Sequence, residues 1–455
     1  MASIEATLNA AFEHHQHHRW QEAEALYRQV LASEPGNVDA LQLLGVLAHQ
    51  NGKHEAAVEL LTQALRLRGP VPSLHNNLGE AYRMLDRYPE AIAAYQKAIL
   101  LQSDFAEPHN NLGTVYQNQA EFEKALACYE CAIRCQPDYA NAHYNRARTL
   151  LTLGDFERGW REYEWRWNKE DFRRPTPIQP AWDGSPLAGR TLLVQAEQGL
   201  GDTIQFIRYV LILQRQGANV LAEVQSALIP LLSQSGIRGL IPQQRALPHF
   251  DVHAPLLSLP RLLKTTLDSI PAKIPYLSAE PRLIDYWQSK LDEHSGFKVG
   301  IFWQVAKNSP LPWRSFPLAA AEPLANLPGV CLVSLQKGFG TEQIPANAER
   351  VPVLDFANEL DETSGPFMDT AALVSQLDLV ISADSAVAHL AGALGVQAWI
   401  LLPLAADWRW MHSRPDSPWY PTLRLFRQEK RGDWAGVFEK VAAALEALMN
   451  QEGAR

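Results

Sequence analysis

One stretch, LDLVISADSAVAHLAGALGV, occupies residues 377–396 and indicates the fold of the second half of the chain. Its start is a short apolar, β-branched run that predicts a buried strand. Residues 385–394 are rich in Ala and Leu and predict a helix, with Asp384 and Ser385 at the N-cap position and Gly395 just past the end. Residues 397–403 predict the next strand, so the stretch is typical of a strand–helix–strand unit in a parallel sheet.

The start of this helix has two interpretations. Parallel sheets bind ligands outside the carboxyl ends of their strands, and the first helical amides after Asp384 are unpaired donors at the positive end of the helix dipole. These amides predict an anion site, with phosphate as the ligand. An ordinary capped helix in an α/β core explains the same residues, and this stretch alone leaves both interpretations open.

Length and composition limit the class of protein. The chain has 455 residues, which predicts two or three domains. Its net charge of −9 argues against a general nucleic-acid binder. No apolar run approaches the roughly 20 residues of a membrane span, and the N-terminal residues lack the pattern of a signal peptide. We therefore expect a cytoplasmic protein with no nucleic-acid partner and no membrane span.

The first third of the chain repeats with a period of 34 residues. The small positions of the repeat are Ala23, Ala57, Ala91, Ala125, Gly45, Gly79 and Gly113, and the larger ones are Tyr27, Leu61, Tyr95, Tyr129 and Tyr163. This pattern resembles the tetratricopeptide repeat (TPR), in which small residues let two helices approach and the aromatic fills the gap to the next unit. We predict an α-helical TPR solenoid over residues 1–173, with four clear repeats and an atypical fifth from residue 140.

Asparagines recur in the same phase, at Asn77, Asn111 and Asn145. We expect them on the concave face, where their amides could bind the backbone of an extended polypeptide. The row resembles the asparagine ladder of the O-linked N-acetylglucosamine transferase repeats. Duplication of the repeat would also make Asn recur, so both explanations remain open.

A proline-rich linker is predicted over residues 174–190, followed by a first Rossmann-like domain over 191–280. Its first strand leads into a turn that contains Gly199, Gly201 and Asp202. The third glycine of a dinucleotide fingerprint is missing, because Ile204 holds its place. The turn therefore predicts a carboxylate, Asp202, at the carboxyl edge of the sheet, or simply a cap for the next helix.

A second Rossmann-like domain with a terminal helix is predicted over residues 281–455. Predicted strands begin near residues 298, 330, 351 and 377. Cationic residues follow two of them, with Lys307 and Arg314 after the first and Lys337 after the second. Since parallel strands align their carboxyl ends, these cations and the Asp384 helix start should converge, which suits a diphosphate.

Gly201-Asp202 and the stretch from Asp384 through His389 to Gly395 resemble the two signatures of glycosyltransferase family 9, the heptosyltransferases. The resemblance covers about residues 190–445 and implies a GT-B arrangement, in which two Rossmann-like domains face a cleft. It implies that Asp202 is the general base and that the second signature holds the nucleotide diphosphate. The chain departs from the family at Ser385 and Ala386, where Thr and Gly are usual, and in its tail over residues 407–428, so the resemblance does not identify heptose as the sugar.

The predicted function is that of a metal-independent glycosyltransferase without a cofactor, using a nucleotide-diphosphate sugar as donor and a polypeptide held by the repeats as acceptor. The layout of repeats followed by a GT-B unit resembles the O-linked N-acetylglucosamine transferases. Glu197 and His389 are weaker candidates for the base. The alternative is a non-catalytic TPR adaptor with a degenerate transferase domain. The predicted donor-binding residues are Gly201, Lys307, Arg314, Lys337, Asp384, Ser385, Ala386 and His389.

Overall fold

The structure is a computed structural model that describes residues 3–170, 172, 179–309 and 311–452. It contains two compact units, residues 1–149 and residues 150–455. The predicted linker over 174–190 lies in part outside the described residues, which resume at position 179. No helix among the described residues is long and apolar enough to cross a membrane.

The N-terminal unit is built from successive helices, and the eight helices between residues 4 and 135 pack on their neighbours in sequence. The helices from the start of the chain to residue 163 are α1 (Ile4–Gln16), α2 (Trp20–Ser33), α3 (Val38–Gln50), α4 (His54–Arg68), α5 (Pro72–Met84), α6 (Tyr88–Leu101), α7 (Ala106–Asn118), α8 (Phe122–Cys135), α9 (Ala140–Leu153) and α10 (Phe156–Tyr163).

The recurring glycines bring the two helices of one repeat together. A Cβ atom added to Gly79 on α5 would lie 2.6 Å from the ring of Tyr95 on α6. A Cβ atom at Gly113 on α7 would lie 2.7 Å from the ring of Tyr129 on α8. Both tyrosines are completely buried. The 34-residue pattern therefore encodes a glycine–tyrosine contact inside these two repeats, in addition to any contact with the next unit.

This contact makes Gly79→Ala a test of the repeat packing. Alanine is the better helix former by about 1 kcal/mol, yet its methyl group would overlap the Tyr95 ring. We expect a net loss of about 1–3 kcal/mol of unfolding free energy, the usual cost of overpacking, measured by urea denaturation. Gly36→Ala is the control, because its nearest neighbour would be 4.0 Å away. Equal stability of Gly79→Ala and wild type would contradict the packing.

The unit over residues 150–455 contains two parallel sheets. The first has the strand order β3-β2-β1-β4. Strands β1 and β2 are paired in parallel, with Thr191 of β1 opposite Asn219 of β2. Helix α11 follows β1 directly, so its start lies at the carboxyl edge of this sheet. The elements around this sheet are β1 (Thr191–Gln195), α11 (Leu200–Arg215), β2 (Asn219–Val224), α12 (Ile229–Gln234), β3 (Leu240–Pro242), β4 (Val252–Pro255) and α13 (Leu259–Leu262).

The second sheet has strand order β6-β5-β7-β8-β9, and its pairs are also parallel. The strands β5, β6 and β7 are adjacent, as the alignment of their carboxyl ends requires. The elements are α14 (Pro281–Asp292), β5 (Phe297–Phe302), α15 (Glu322–Ala325), β6 (Val330–Ser334), α16 (Gln343–Asn347), α17 (Met368–Val374), β7 (Leu379–Ala383), α18 (Ala386–Leu394), β8 (Ala398–Leu402), β9 (Leu423–Arg427) and α19 (Trp434–Glu452).

One predicted strand of this region is wrong. Residues 351–355 form only an isolated parallel bridge, between Leu354 and Val333. The strand that extends the sheet on the other side is β9, which pairs with β8 and lies in the unusual tail of the sequence. Pairing with β8 places this tail beside the strand–helix–strand unit described first.

Helix α10 belongs to the α/β unit, although the sequence placed the end of the repeats near residue 173. The reason is an aromatic cluster that joins α10 to later segments. The ring centroid of Trp160 lies 5.2 Å from that of Trp408 and 6.4 Å from that of Phe206 on α11. Phe206 in turn lies 5.5 Å from Trp419. The predicted tryptophan-rich fifth repeat thus supplies part of the core next to α11.

Candidate functional site

The starts of helices α11 and α18 lie in contact. A Cβ atom at Gly201 would be 2.9 Å from Cδ2 of His389 and 3.4 Å from Cα of Ala386. Glycine at this position therefore allows the two helix starts to approach, one from each sheet. This contact brings the two predicted signatures together in space, although they are far apart in the sequence.

Asp202 is held at both of its carboxylate oxygens. Oδ2 accepts a hydrogen bond from the backbone N–H of Gly199 at 2.8 Å, so the side chain at the third helical position caps the start of α11. Oδ1 forms an ion pair with Nη2 of Arg409. The side chain keeps 20% of its surface exposed. Asp202 therefore has the helix-capping role, and its role as a base stays a prediction.

Arg409 and Arg314 share one carboxylate, that of Asp407. Asp407 Oδ1 lies 2.7 Å from Nη1 of Arg409, and Oδ2 lies 2.9 Å from Nη2 of Arg314. The side chains of Arg409 and Asp407 are 8% and 6% exposed. Because Asp407 uses a different oxygen for each arginine, it fixes the two guanidinium groups relative to one another.

Arg314 continues the contacts to Asp384, with Nε 3.1 Å from Oδ2. Asp384 follows β7 and is almost fully buried. Burial raises the pKa of this carboxyl group, and the neighbouring Arg314 acts in the opposite direction. We call the series Asp202–Arg409–Asp407–Arg314–Asp384 the ion-pair chain. It links the start of α11 to the start of α18 through side chains.

Ser385 and His389 are placed by helix α18. The hydroxyl of Ser385 caps the helix, accepting from the N–H of Ala388 at 3.4 Å, and lies 3.1 Å from the hydroxyl of Ser382. Nδ1 of His389 lies 3.0 Å from the hydroxyl of Tyr420, and its ring stacks on Trp410 with centroids 5.2 Å apart. Burial, aided by Arg409, lowers the pKa of His389 well below its usual value, so the ring is neutral.

Two predicted cations do not join the ion-pair chain. Nζ of Lys337 lies 2.7 Å from Oε1 of Glu362, which pairs it with a different acidic residue. Lys307 lies in an exposed turn after β5. Of the three cations expected to converge at the ends of β5 and β6, only Arg314 reaches Asp384.

Glu197 has a separate buried environment. Its Oε1 lies 3.1 Å from Nη2 of Arg166, whose side chain is fully buried, and accepts from the N–H of Leu257 at 3.2 Å. Burial raises the pKa of Glu197 to about 7, and Arg166 opposes this shift. The hydroxyl of Ser258 also contacts Arg166, at 2.7 Å. The buried pair with Arg166 gives Glu197 a role in joining residues 164–168 to the first sheet.

Sequence reasoning missed Asp407 and Arg409, and it missed Tyr420 as the partner of His389. All three belong to the tail over residues 407–428, which was noted only as unlike the heptosyltransferases. A usable signal was present, because the tail combines acidic, basic and aromatic residues within a short segment that carries Trp408, Trp410, Trp419 and Tyr420. Such a composition is typical of a buried polar site rather than of a solvated surface.

The asparagines of the repeats form side-chain hydrogen bonds with one another. Asn111 donates to Oδ1 of Asn76 at 3.2 Å, and Asn145 donates to Oδ1 of Asn110 at 2.9 Å. Asn76 and Asn110 are buried, whereas the predicted Asn77, Asn111 and Asn145 are partly exposed. One donor of Asn111 and one of Asn145 therefore stabilise the contact between repeats, and their remaining groups stay candidates for peptide binding.

Family models confirm the repeats. Models described as tetratricopeptide repeat match residues 13–72, 106–139 and 128–161, and one described as TPR repeat matches residues 81–120. The match that ends at residue 161 includes most of α10. The first ten helices thus form a TPR solenoid with an atypical end, and a region of parallel α/β sheets follows it. The family 9 resemblance stays a prediction.

Among curated proteins, the chain is similar to Protein FlbA of Caulobacter vibrioides, with 30% identity over 321 residues. The match takes 63% of this chain and 52% of FlbA, so this chain spans about half the length of that relative. Among solved structures, MamA is 27% identical over 35% of this chain and 94% of MamA, with a TM-score of 0.32. A thermophilic TPR protein of Thermus thermophilus is 19% identical over 37% of this chain and 92% of its own, with a TM-score of 0.34.

The neutral state of His389 predicts a pH dependence of stability. The folded chain resists protonation of His389, while the unfolded chain takes up the proton below its ordinary pKa of about 6.5. The stability contributed by neutral His389 is therefore present above about pH 6.5 and is lost as the pH falls, by about 1.4 kcal/mol per pH unit.

His389→Asn keeps an acceptor for Tyr420 but cannot titrate. We expect the unfolding free energy of wild type to fall more steeply than that of His389→Asn between pH 6.5 and pH 5, measured by urea denaturation. The exposed His249→Asn is the control and should follow wild type. Parallel curves for wild type and His389→Asn would show that His389 is not held neutral.

Proposed function

We propose that the chain is a glycosyltransferase that moves a sugar from a nucleotide-diphosphate sugar to an acceptor hydroxyl. The observation that carries the proposal is the meeting of the two helix starts at Gly201 and Ala386, beside one buried arginine, one partly exposed arginine and a partly exposed carboxylate, Asp202. Donor binding needs cations and helix amides, and transfer needs a base next to them. The cations and the carboxylate lie in the ion-pair chain, which ends at Asp384, next to the start of α18.

In the proposed reaction, the start of α18 and Arg314 bind the diphosphate. The acceptor oxygen attacks the anomeric carbon, and the bond from that carbon to the diphosphate oxygen breaks. The electron pair leaves with the nucleoside diphosphate, whose growing charge is stabilised by Arg314 and the helix dipole. Asp202 takes the proton of the acceptor hydroxyl. Lys307 and Lys337 are proposed contacts at the outer part of the donor.

The acceptor in this proposal is a polypeptide bound by the repeats. The partly exposed amides of Asn77, Asn111 and Asn145 recur with the repeat, as a peptide-backbone site requires. The described residues contain no group of three or more His, Cys, Asp or Glu side chains placed to hold a metal ion. Metal independence is nonetheless tested directly, by including a chelator.

The test is a thermal-shift series with UDP, GDP, CDP, ADP and TDP in the presence of EDTA. We expect at least one of them to raise the melting temperature of the full chain. Arg314→Lys should bind that nucleotide about 10- to 100-fold more weakly, because charge-assisted hydrogen bonds from a guanidinium group to phosphate contribute roughly 1.5–3 kcal/mol. Arg350→Lys is the matched control, since the exposed Arg350 pairs only with Glu322 among described residues.

The outcomes separate the proposal from its rival. Stabilisation that needs added Mg²⁺ or Mn²⁺ would contradict metal-independent binding. Equal affinity in wild type and Arg314→Lys would place the diphosphate elsewhere. Absence of any shift with all five nucleotides would contradict the donor site itself.

The rival function is a non-catalytic TPR adaptor, and one observation favours it. Arg314 and Arg409 are already paired with the three carboxylates of the ion-pair chain, as in a purely structural network. In that case the α/β unit would stabilise the chain and the repeats alone would bind partners. An adaptor should give no nucleotide-dependent shift, so the same series decides between the two functions.

A further inference from the structure

We infer that Arg409 has two alternative partners: the carboxylate of Asp202 in the unliganded chain, and a phosphoryl group of the donor during transfer. Binding of the donor would then release Asp202 to act as the base. This inference rests on the proposed function and adds a role for Arg409 that the sequence did not predict.

Arg409 is held in place by its own segment. Its Nη1 binds Oδ1 of Asp407 at 2.7 Å, and its backbone N–H binds the same oxygen at 3.1 Å. The guanidinium carbon lies 4.2 Å from the centre of the Trp408 ring. None of these contacts involves Asp202. The guanidinium would therefore keep its position when Asp202 moves away.

The guanidinium group of Arg409 has a donor that is not used in the unliganded chain. Nη2 contacts Asp202, whereas the buried Nε has no hydrogen-bond partner among the described residues. The Nε–H and one Nη2–H point from the same edge of a guanidinium group, the edge that binds phosphate through two parallel hydrogen bonds. A phosphoryl group would satisfy both donors and carries more charge than one carboxylate. It should therefore displace Asp202.

Asp202 is suited to such an exchange. Its Oδ2 stays bonded to the N–H of Gly199, so the carboxylate remains at the start of α11 when Oδ1 leaves Arg409. It is the most exposed carboxylate of the ion-pair chain, at 20% against 6% for Asp407 and 2% for Asp384. Of the three, Asp202 is the one that an acceptor hydroxyl could reach.

The exchange of partners at Arg409 sets the order in which donor and acceptor take part in the reaction. Before the donor binds, Oδ1 of Asp202 is engaged by Arg409 and is not free to contact an acceptor hydroxyl. After the donor binds, Oδ1 can take the acceptor's proton while Arg409 and Arg314 hold the departing diphosphate. The base thus becomes available only when a donor is present, and the donor binds first.

The experiment measures affinities by calorimetry on the full chain with EDTA, using inorganic pyrophosphate and the five nucleoside diphosphates named above as probes. Asp202→Asn removes the competing charge and retains capping ability. We expect Asp202→Asn to bind the preferred nucleotide about tenfold more tightly than wild type, an effect of about 1.4 kcal/mol. Asp202→Ser takes its place if the Asn variant does not fold.

The second arm tests whether the gain depends on Arg409. Arg409→Lys keeps the positive charge but loses the two parallel N–H donors of the guanidinium group, so this variant should bind the nucleotide more weakly. Adding Asp202→Asn to Arg409→Lys should give no gain in affinity. Glu322→Gln, which removes the carboxylate of the surface pair with Arg350, is the matched control and should bind as wild type.

Three results would overturn the inference. If wild type binds nucleotide and Asp202→Asn binds equally or more weakly, Arg409 does not exchange partners, while the donor site itself stands. If Asp202→Asn tightens binding equally in the Arg409→Lys background, the gain comes from another group. If neither wild type nor any variant binds any probe, the proposed function fails together with the inference.

Discussion

The carboxylate of Asp407 holds two guanidinium groups in fixed positions, one buried and one partly exposed, and the candidate site depends on it. Buried charges are stable only when they are paired and hydrogen-bonded, so losing one partner from such a set typically costs about 3–5 kcal/mol. Here the pairing extends outward from Asp407 to Asp202 on one side and to Asp384 on the other. A single carboxylate thus couples the starts of two helices that follow strands of different sheets.

Close approach at glycine appears in both units, with different results. Gly79 admits the ring of Tyr95 and sets the distance between two helices of a repeat. Gly201 admits His389 and Ala386, and so brings two helix starts together. In the repeats the contact recurs with the sequence period and builds a solenoid. In the α/β unit it occurs once and creates a place where polar groups meet.

Much of the fold could be predicted, because helix and strand periodicity and the 34-residue step are local properties of the sequence. Strand β2 and the helix α18 lie where they were expected. The side-chain partners could not be predicted, since Arg409 and Asp202 are 207 residues apart and no local pattern relates them. Lys337 shows the same limit, because its nearest acid, Glu362, lies in a segment without regular structure. The partners of the asparagine row were also not predictable from the 34-residue step, since the hydrogen bonds join residues 35 apart and so pair Asn111 with Asn76.

The most direct measurement of this arrangement is a double-mutant cycle of unfolding free energy on Asp202→Asn and Arg409→Gln, by urea denaturation of the full chain. The two residues contact each other, so we expect a coupling energy of about 1–3 kcal/mol. If the changes in unfolding free energy of the two single variants add up to that of the double variant within about 0.3–0.5 kcal/mol, the two side chains act independently. That result would contradict the ion-pair chain as the connection between the two helix starts.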